Sequence, residues 1–213
     1  MTDVSRSIGN RFERYFQTYF PWFESHVNDG HNVPDFYNPT GKFWVEAKVG
    51  NRRWGPDLKH YQRDNFKRIN EPIIYCFGLH NFDDARTRLD GKSNIEMRHI
   101  LRHQMRIEEV YFITKDIVEA VIDAETRVSK DGRAYCTMKR PILKSLFSGK
   151  PFKRFGKPVK SAEEYYGYEN SNLDIYQEQN LVDHTSIPLK GIMLSKETDK
   201  SILDYLRLQN MIK

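Results

Sequence analysis

The sequence VPDFYNPTGKFWVEAK at residues 33–48 predicts a β-hairpin with acidic side chains on both of its strands. Residues 38–41, Asn-Pro-Thr-Gly, have the composition of a tight turn. From Phe43 to Val49, apolar residues alternate with Trp, Glu and Lys, which is typical of a strand with one buried face. The stretch therefore predicts both the turn and the orientation of the strand that follows it.

The expected register of this hairpin brings three charged side chains together. With a four-residue loop at 39–42, Asp35 lies opposite Glu46, and Lys48 follows two positions later on the same face. Opposed residues of an antiparallel pair have Cβ atoms about 5 Å apart, which is close enough for two carboxylates to share one divalent cation. The sequence thus predicts two carboxylates and one ammonium group directed at one point.

Composition excludes a membrane protein and favours a globular one. The chain has 213 residues, of which 38% are hydrophobic and 30% charged, with a net charge of +5. Its longest apolar runs, such as residues 73–77, are too short to span a bilayer, and the N-terminus has no apolar signal core. We expect a cytoplasmic or otherwise intracellular protein that is not secreted, with Cys76 and Cys136 as buried thiols. The positive charge mildly favours a polyanionic partner.

The first third of the chain predicts a helix, the hairpin, a loop, a second helix and a buried strand. In order, these are helix 5–20, hairpin 33–48, basic loop 50–56, helix 58–70 with Asp57 as its cap, and strand 73–78. A strand, a helix and a buried strand in succession predict a crossover that joins two parallel strands.

The remainder alternates helices and short strands and then changes composition. We expect a short helix within residues 83–89, a basic helix at 94–106 with Ile95, Ile100 and Leu101 facing inward, strand 110–113, helix 115–128, strand 134–138, strand 187–194 and helix 201–211. Residues 130–160 hold ten Lys or Arg and one acid, whereas residues 161–185 hold six acids and no Lys or Arg. Such asymmetry is typical of a functional or mobile segment rather than a core.

The charged residues of the hairpin resemble a known motif. Pro34-Asp35, followed after ten residues by Glu46-Ala47-Lys48, is similar to the signature of the PD-(D/E)xK nuclease superfamily. Gly9 to Glu13 resembles the first-helix element of that superfamily, and Gln62 is similar to a glutamine of its Holliday-junction-resolvase-like members. The resemblance covers residues 5–78. It implies a restriction-endonuclease-like α/β fold, with an α-β-β-α-β core, a mixed central sheet flanked by helices and a less regular basic C-terminal part.

Two expectations about domain organisation follow. Residues 1–128 would form the nuclease core. Residues 129–213, basic and then acidic, with a terminal strand and helix, would pack on the same domain.

The resemblance also assigns roles to individual residues. Asp35, Glu46, the Ala47 carbonyl and Glu13 would ligate Mg²⁺, with Mn²⁺ as a substitute, and Lys48 would handle the attacking water. These residue types suit phosphodiester hydrolysis, because carboxylates hold Mg²⁺ while leaving positions for water and phosphate. A neighbouring lysine orients the nucleophile and offsets negative charge. The alternative is a hairpin with solvated charges, and a solvated helix acid at Glu13.

Six basic residues and one glutamine outside this site are candidates for DNA contact. They are Arg52, Arg53, Gln62, Arg140, Lys144, Lys153 and Arg154. The basic segment after residue 138 also carries interleaved phenylalanines, which suits backbone contact combined with base stacking. The alternatives are solubilising loop charges and, for Gln62, a surface position.

The function expected from this resemblance is a Mg²⁺-dependent DNA endonuclease, with branched DNA or junctions as the favoured substrate. A homodimer is expected, because cutting two strands requires two sites. Three alternatives stay open: an exonuclease or restriction-type nuclease of the same fold, an RNA-directed nuclease, and a non-catalytic DNA-binding or structural recombination protein.

Overall fold

The computed structural model describes most of the first two thirds of the chain and short pieces beyond it. The described residues are 3–29, 32–59, 64–125, 127–128, 132, 134–143, 186–187, 202–204 and 207.

Nine strands and four helices are defined within these residues. The strands are Glu24–Ser25 (β1), Phe36–Asn38 (β2), Phe43–Asn51 (β3), Asp57–Lys59 (β4), Ile73–His80 (β5), Ile107–Thr114 (β6), Arg127–Val128 (β7), Ala134–Thr137 (β8) and Ser186–Ile187 (β9). The helices are Asp3–Tyr19 (α1), Ala85–Leu89 (α2), Asn94–Gln104 (α3) and Lys115–Glu125 (α4).

The central sheet is mixed, which confirms the predicted α/β class. Its strand order is β1-β2-β3-β5-β6-β9, and among these described strands only the β3–β5 pair is parallel. Strands β4, β8 and β7 form a second sheet. The parallel β3–β5 pair is the crossover predicted from the order of elements.

Strand β5 lies at the centre and is buried at all eight positions. Alternate residues pack into two separate cores, with Ile74 and Cys76 on the side of α1 and Tyr75 and Phe77 on the side of α4. The continuous apolar run in the sequence therefore corresponds to a strand covered on both faces. Cys76 and Cys136 are both buried free thiols, as predicted.

Helix α1 packs closely on the sheet at a glycine. Phe12 and Phe16 are 1% and 0% exposed and belong to the core on that side. A Cβ added at Gly78 of β5 would lie 2.4 Å from the Phe12 ring. Gly78 therefore allows the aromatic stripe of α1 to approach the strand, and this contact fixes where the helix places its polar residues.

The prediction of a helix over residues 58–70 is wrong at both of its ends. Residues 57–59 form β4, and among the residues described in this stretch only 64–66 are helical. Asp57 does not cap a helix, because its carboxylate accepts a hydrogen bond from Thr137 Oγ1 at 2.6 Å. Leu58 is buried and pairs in register with Cys136 of β8. A partner strand almost eighty residues away thus determines the local structure.

Helix α3 forms where it was predicted, but one residue of its expected inner face is on the outside. Ser93 caps the helix and forms a capping box with Glu96. From this start, Met97 and Leu101 face inward, whereas Ile95 is 80% exposed. The inward orientation predicted for Ile95 is therefore wrong.

The later elements agree with the sequence where they are described. Helix α4 and strand β8 lie within the predicted ranges 115–128 and 134–138. Residues 186–187 pair with β6, and residues 202–204 and 207 are helical, with Ile202 buried in the core on the α1 side. The rest of the strand predicted at 187–194 and of the helix predicted at 201–211 lies outside the described residues. No helix in the described part of the chain has the length and apolarity needed to cross a membrane.

Candidate active site

The turn of the hairpin has the predicted length and therefore the predicted register. Asn38 pairs with Phe43 and Phe36 with Val45, which leaves the loop at residues 39–42. The Asn38 side-chain carbonyl accepts hydrogen bonds from the backbone N–H groups of Thr40 and Gly41, at 3.0 and 2.9 Å. This local bonding explains why a buried asparagine begins the turn.

Strand β2 is much shorter than β3, and the difference creates an open edge. The ladder between them starts at Phe36, so that beyond Val45 the strand β3 has no β2 residue beside it. The Asp35 carboxylate takes this place and accepts the Ala47 N–H at 2.8 Å. In a strand, the N–H and C=O groups of one residue point to the same side, and those of the next residue point to the opposite side. The Ala47 carbonyl therefore faces this edge, as the Ala47 N–H does.

Lys48 joins the two acids of the motif. Its Nζ donates a hydrogen bond to Glu46 Oε1 and lies 3.9 Å from Asp35 Oδ2. The same Nζ is 3.4 Å from the Ala47 carbonyl oxygen. Glu46 is only 1% exposed, whereas the side chains of Lys48 and Asp35 are 18% and 19% exposed. The structure thus brings Asp35, Glu46, Ala47 and Lys48 together, with access to solvent on the Asp35 and Lys48 side.

Glu13 approaches this group from α1. Burial and the nearby Asp35 carboxylate raise the pKa of Glu13 to about 7, while the Lys48 ammonium opposes the shift. That these two residues act on Glu13 agrees with the expectation that the helix-borne glutamate reaches the same point. Its position depends on α1, since Phe12 on the neighbouring position is held by the core.

The carboxyl groups of the site destabilise one another's charged forms. Burial raises the pKa of Glu46, with Asp35 adding to the increase and Lys48 opposing it. Burial lowers the pKa of Lys48, but the Glu46 and Asp35 carboxylates outweigh it and hold that pKa above its ordinary value. Three acids with a single ammonium group therefore form a site that gains from additional positive charge.

The donor atoms fit a hard divalent cation, but they do not form a complete coordination site. Carboxylate and carbonyl oxygens are the ligands that Mg²⁺ prefers. Across the described ranges, no three His, Cys, Asp or Glu side chains lie close enough together to hold a metal ion as they stand. Lys48 accounts for this spacing, because its ammonium lies within 4 Å of both Glu46 and Asp35. Binding of a cation would require the lysine to move aside.

The raised pKa of Glu13 predicts that its contribution to the stability of the metal-free protein falls as the pH rises. Its pKa is about 7 in the folded state, whereas the unfolded chain releases this proton near pH 4.5. The stability that Glu13 contributes is therefore full below pH 4.5 and is lost by the time the pH has passed the folded value. Buried His80, whose pKa is lowered to about 4, acts in the opposite direction, but only up to about pH 6.5.

We therefore expect Glu13→Gln to gain stability relative to the wild type as the pH rises from 4.5 to about 7, and the difference to stay constant at higher pH. Comparison with the variant removes the opposing contribution of His80, which both proteins share. The free energy of unfolding is measured with urea in the presence of EDTA. A difference that does not change over this range would contradict the assigned environment of the Glu13 carboxyl.

Three of the seven residues expected to bind DNA lie within the described part of the chain. Arg52 pairs with Asp83 and Glu108, at 3.5 and 3.1 Å. Arg140 forms a two-pronged ion pair with the buried Glu109. Arg53 is exposed in the loop that follows β3. The other four predicted residues, Gln62, Lys144, Lys153 and Arg154, lie outside the described residues.

Arg52 and Arg140 have carboxylate partners within the protein that the sequence did not predict. Glu109 also accepts a hydrogen bond from the Tyr111 hydroxyl at 2.5 Å, so Arg140 completes a buried polar network. Asp83 accepts a hydrogen bond from the Asn51 side chain at 2.6 Å as well as pairing with Arg52. The consecutive Glu108 and Glu109 at the start of the apolar strand β6 were the available signal, since a buried acid requires a partner.

A basic groove was also missed. Helices α1 and α3 enclose a pocket of about 480 Å³ whose lining includes Arg6, Arg11, Arg14, Arg98 and Arg102. On α3, which was expected to be a basic helix, Arg98 and Arg102 are exposed. The arginines of α1 recur at i, i+5 and i+8, but only the packing of the two helices shows that the two sets face one another.

Comparison of the chain with protein-family models, with curated proteins and with solved structures finds no match in any of the three.

Proposed function

We propose that the protein is a metal-dependent deoxyribonuclease with a restriction-endonuclease-like core, acting as an endonuclease on branched DNA or junctions. The observation that carries the proposal is the convergence of Asp35, Glu46, the Ala47 carbonyl and Lys48 at the open edge of β3. The mixed sheet, with its hairpin and parallel crossover, supports the fold assignment.

Each residue has a role that follows from its position. Asp35 and Glu46 supply carboxylate oxygens, and Ala47 supplies a carbonyl oxygen, for a cation that would be Mg²⁺ or Mn²⁺. When bound, such an ion neutralises charge on the scissile phosphate and lowers the pKa of a water molecule. Glu13, with a pKa near 7, adds a further oxygen ligand or tunes the charge of the site.

Lys48 is the group best placed to act on the attacking water. It keeps its proton at neutral pH because Glu46 and Asp35 raise its pKa. Once displaced from Glu46, its ammonium can hold the water and offset negative charge that develops on the phosphate. In the reaction the water oxygen bonds to phosphorus, the bond to the leaving oxygen breaks, and that oxygen takes up a proton.

A non-catalytic DNA-binding protein is the second candidate, and a specific observation favours it. The Lys48–Glu46 ion pair satisfies both residues without any cation, and the described residues contain no ready-made group of three metal ligands. On that account the motif is a structural ion pair inside a DNA-binding fold. The two candidates differ in whether cation binding and cleavage occur at all.

A panel of substrates tests the proposed function. Linear duplex, four-way junction, flap, single-stranded DNA and an RNA duplex are each incubated with the protein and Mg²⁺ or Mn²⁺. We expect cleavage of DNA, greatest on branched forms, that EDTA stops and that Glu46→Gln lacks, whereas the exposed control Glu71→Gln retains it. Cleavage of RNA alone would assign the site to an RNA-directed enzyme. No cleavage of any substrate would favour the non-catalytic candidate.

A further inference from the structure

The strongest unassigned feature is the basic groove between α1 and α3, defined by Arg6, Arg11, Arg14, Arg98 and Arg102. Its remaining lining consists of neutral polar side chains, one histidine and Leu101, with no acidic residue among them. Four of the five arginines are exposed and Arg11 is half-buried. The groove is therefore a concave surface of one charge sign.

Among the side chains that the structure describes, none of the five arginines has a carboxylate within 4 Å. Arg52 and Arg140, which the sequence favoured for DNA contact, are both paired with carboxylates. The arginines of the groove are thus better available to a ligand than Arg52 and Arg140.

The groove is held by packing between its two helices. Met97 and Leu101 of α3 are buried in the same core as Phe12 and Phe16 of α1. Ser7 of α1 contacts the Met97 sulfur at 3.9 Å. The arginine side chains consequently project from a fixed framework, which reduces the entropy lost when they bind a ligand.

The spacing of the arginines matches a chain of phosphates. Arg6 and Arg14 are eight residues apart on one helix, which corresponds to about 12 Å along the axis. One strand of duplex DNA carries a phosphate about every 3.4 Å along its axis, so this length spans three to four of them. Arg98 and Arg102, one turn apart on α3, add a second row of charge.

We propose that the groove between α1 and α3 binds the phosphate backbone of duplex DNA. The choice of DNA as the ligand rests on the proposed function. The new element is the position of the duplex on the protein. Arg14 follows Glu13 directly, and consecutive helical residues are separated by about 100° around the axis. A duplex in the groove therefore passes over the helix that presents Glu13 to the active site.

Salt dependence of binding tests the groove separately from catalysis. Affinity for a 30-base-pair DNA duplex is measured in EDTA over a range of salt concentrations, so that no cleavage is needed. For Arg98→Gln/Arg102→Gln, the slope of log affinity against log salt should become less steep by about two, since each lost phosphate contact removes about 0.9. The double variant Arg98→Lys/Arg102→Lys keeps the charges and should retain most of the slope.

The matched control removes two positive charges elsewhere. Arg68 and Lys92 are exposed and lie outside the lining of the groove, so Arg68→Gln/Lys92→Gln should leave the slope near the wild-type value. An unchanged slope in the groove variant, an equal loss in the control, or binding to phosphatidylserine vesicles without binding to DNA would each overturn the groove assignment. A reduced slope in a protein that never cleaves DNA would support the groove and reject the nuclease.

Discussion

Replacing Lys48 with alanine is expected to reduce DNA cleavage by about 10²- to 10⁴-fold, the range typical of a lost proton-transfer or charge-stabilising group. The site has one ammonium group for three acids, and that group contacts Glu46 directly. Without it, the opposition that Lys48 gives to the raised pKa of Glu46 disappears. The pKa of Glu46 then rises further, so that Glu46 becomes a weaker ligand for a cation at neutral pH.

Binding of DNA should survive this change, because the proposed duplex contacts lie on α1 and α3. The measurement is a cleavage time course with saturating protein, together with DNA affinity in EDTA. Lys92→Ala removes an exposed lysine and serves as the matched control. If Lys48→Ala retains more than about a tenth of wild-type cleavage, Lys48 has no part in the chemistry.

Replacing Phe12 with alanine is expected to lower the free energy of unfolding by about 3–5 kcal/mol, as is typical for a large side chain lost from a core. Phe12 is 1% exposed and lies against Gly78, where an added Cβ would be 2.4 Å from its ring. Glu13 depends on the same contact, so the variant should also lose cleavage. Thr18→Ala, on the exposed face of α1, should change stability by less than about 0.5 kcal/mol.

A double-mutant cycle separates this contact from a general loss of packing. Gly78→Ala alone should cost about 1–3 kcal/mol, because the new methyl group meets the Phe12 ring. In the Phe12→Ala background the ring is absent, so the same change should cost less. Urea unfolding of all four proteins gives the coupling energy. Strictly additive effects would contradict the close approach of α1 to β5.

The sequence was sufficient where local rules decide the structure. Asn38 to Gly41 determines a four-residue loop, and loop length determines register, so the pairing of Asn38 with Phe43 could be predicted. The apolar run at residues 73–78 could be assigned to a buried strand because breakers bound it on both sides. The aromatic spacing of α1 likewise predicted a helix with one buried face.

The features that could not be predicted from the sequence depend on contacts between residues that are far apart in the chain. Residues 57–59 form a strand rather than a helical turn because β8 lies beside them. Arg140 binds the buried Glu109, which is thirty-one residues earlier in the chain. The basic groove depends on how two helices pack, and neither helix alone shows a concave surface. Each of these features is a contact between two distant segments, and the pattern of residues within one segment does not predict it.

For the motif residues, one feature could be predicted from the sequence and another could not. Their proximity was predictable from the hairpin, and Asp35 accepts the Ala47 N–H as a consequence of the register. The direct ion pair between Lys48 and Glu46 was not predictable, since it depends on the burial of Glu46 and on the early end of β2. Because this ion pair satisfies both residues without a cation, measurement of metal-dependent cleavage decides between the two proposed functions.

The most direct measurement is the Mg²⁺-dependent cleavage of branched DNA by the wild-type protein and by Glu46→Gln, at equal occupancy of the DNA. Glutamine preserves the size of the side chain and can still accept a hydrogen bond from Lys48, but it carries no negative charge for a cation. We predict cleavage by the wild type that EDTA abolishes, and none by the variant. Equal cleavage by both proteins, or cleavage that persists in EDTA, would contradict a metal-dependent site at Glu46.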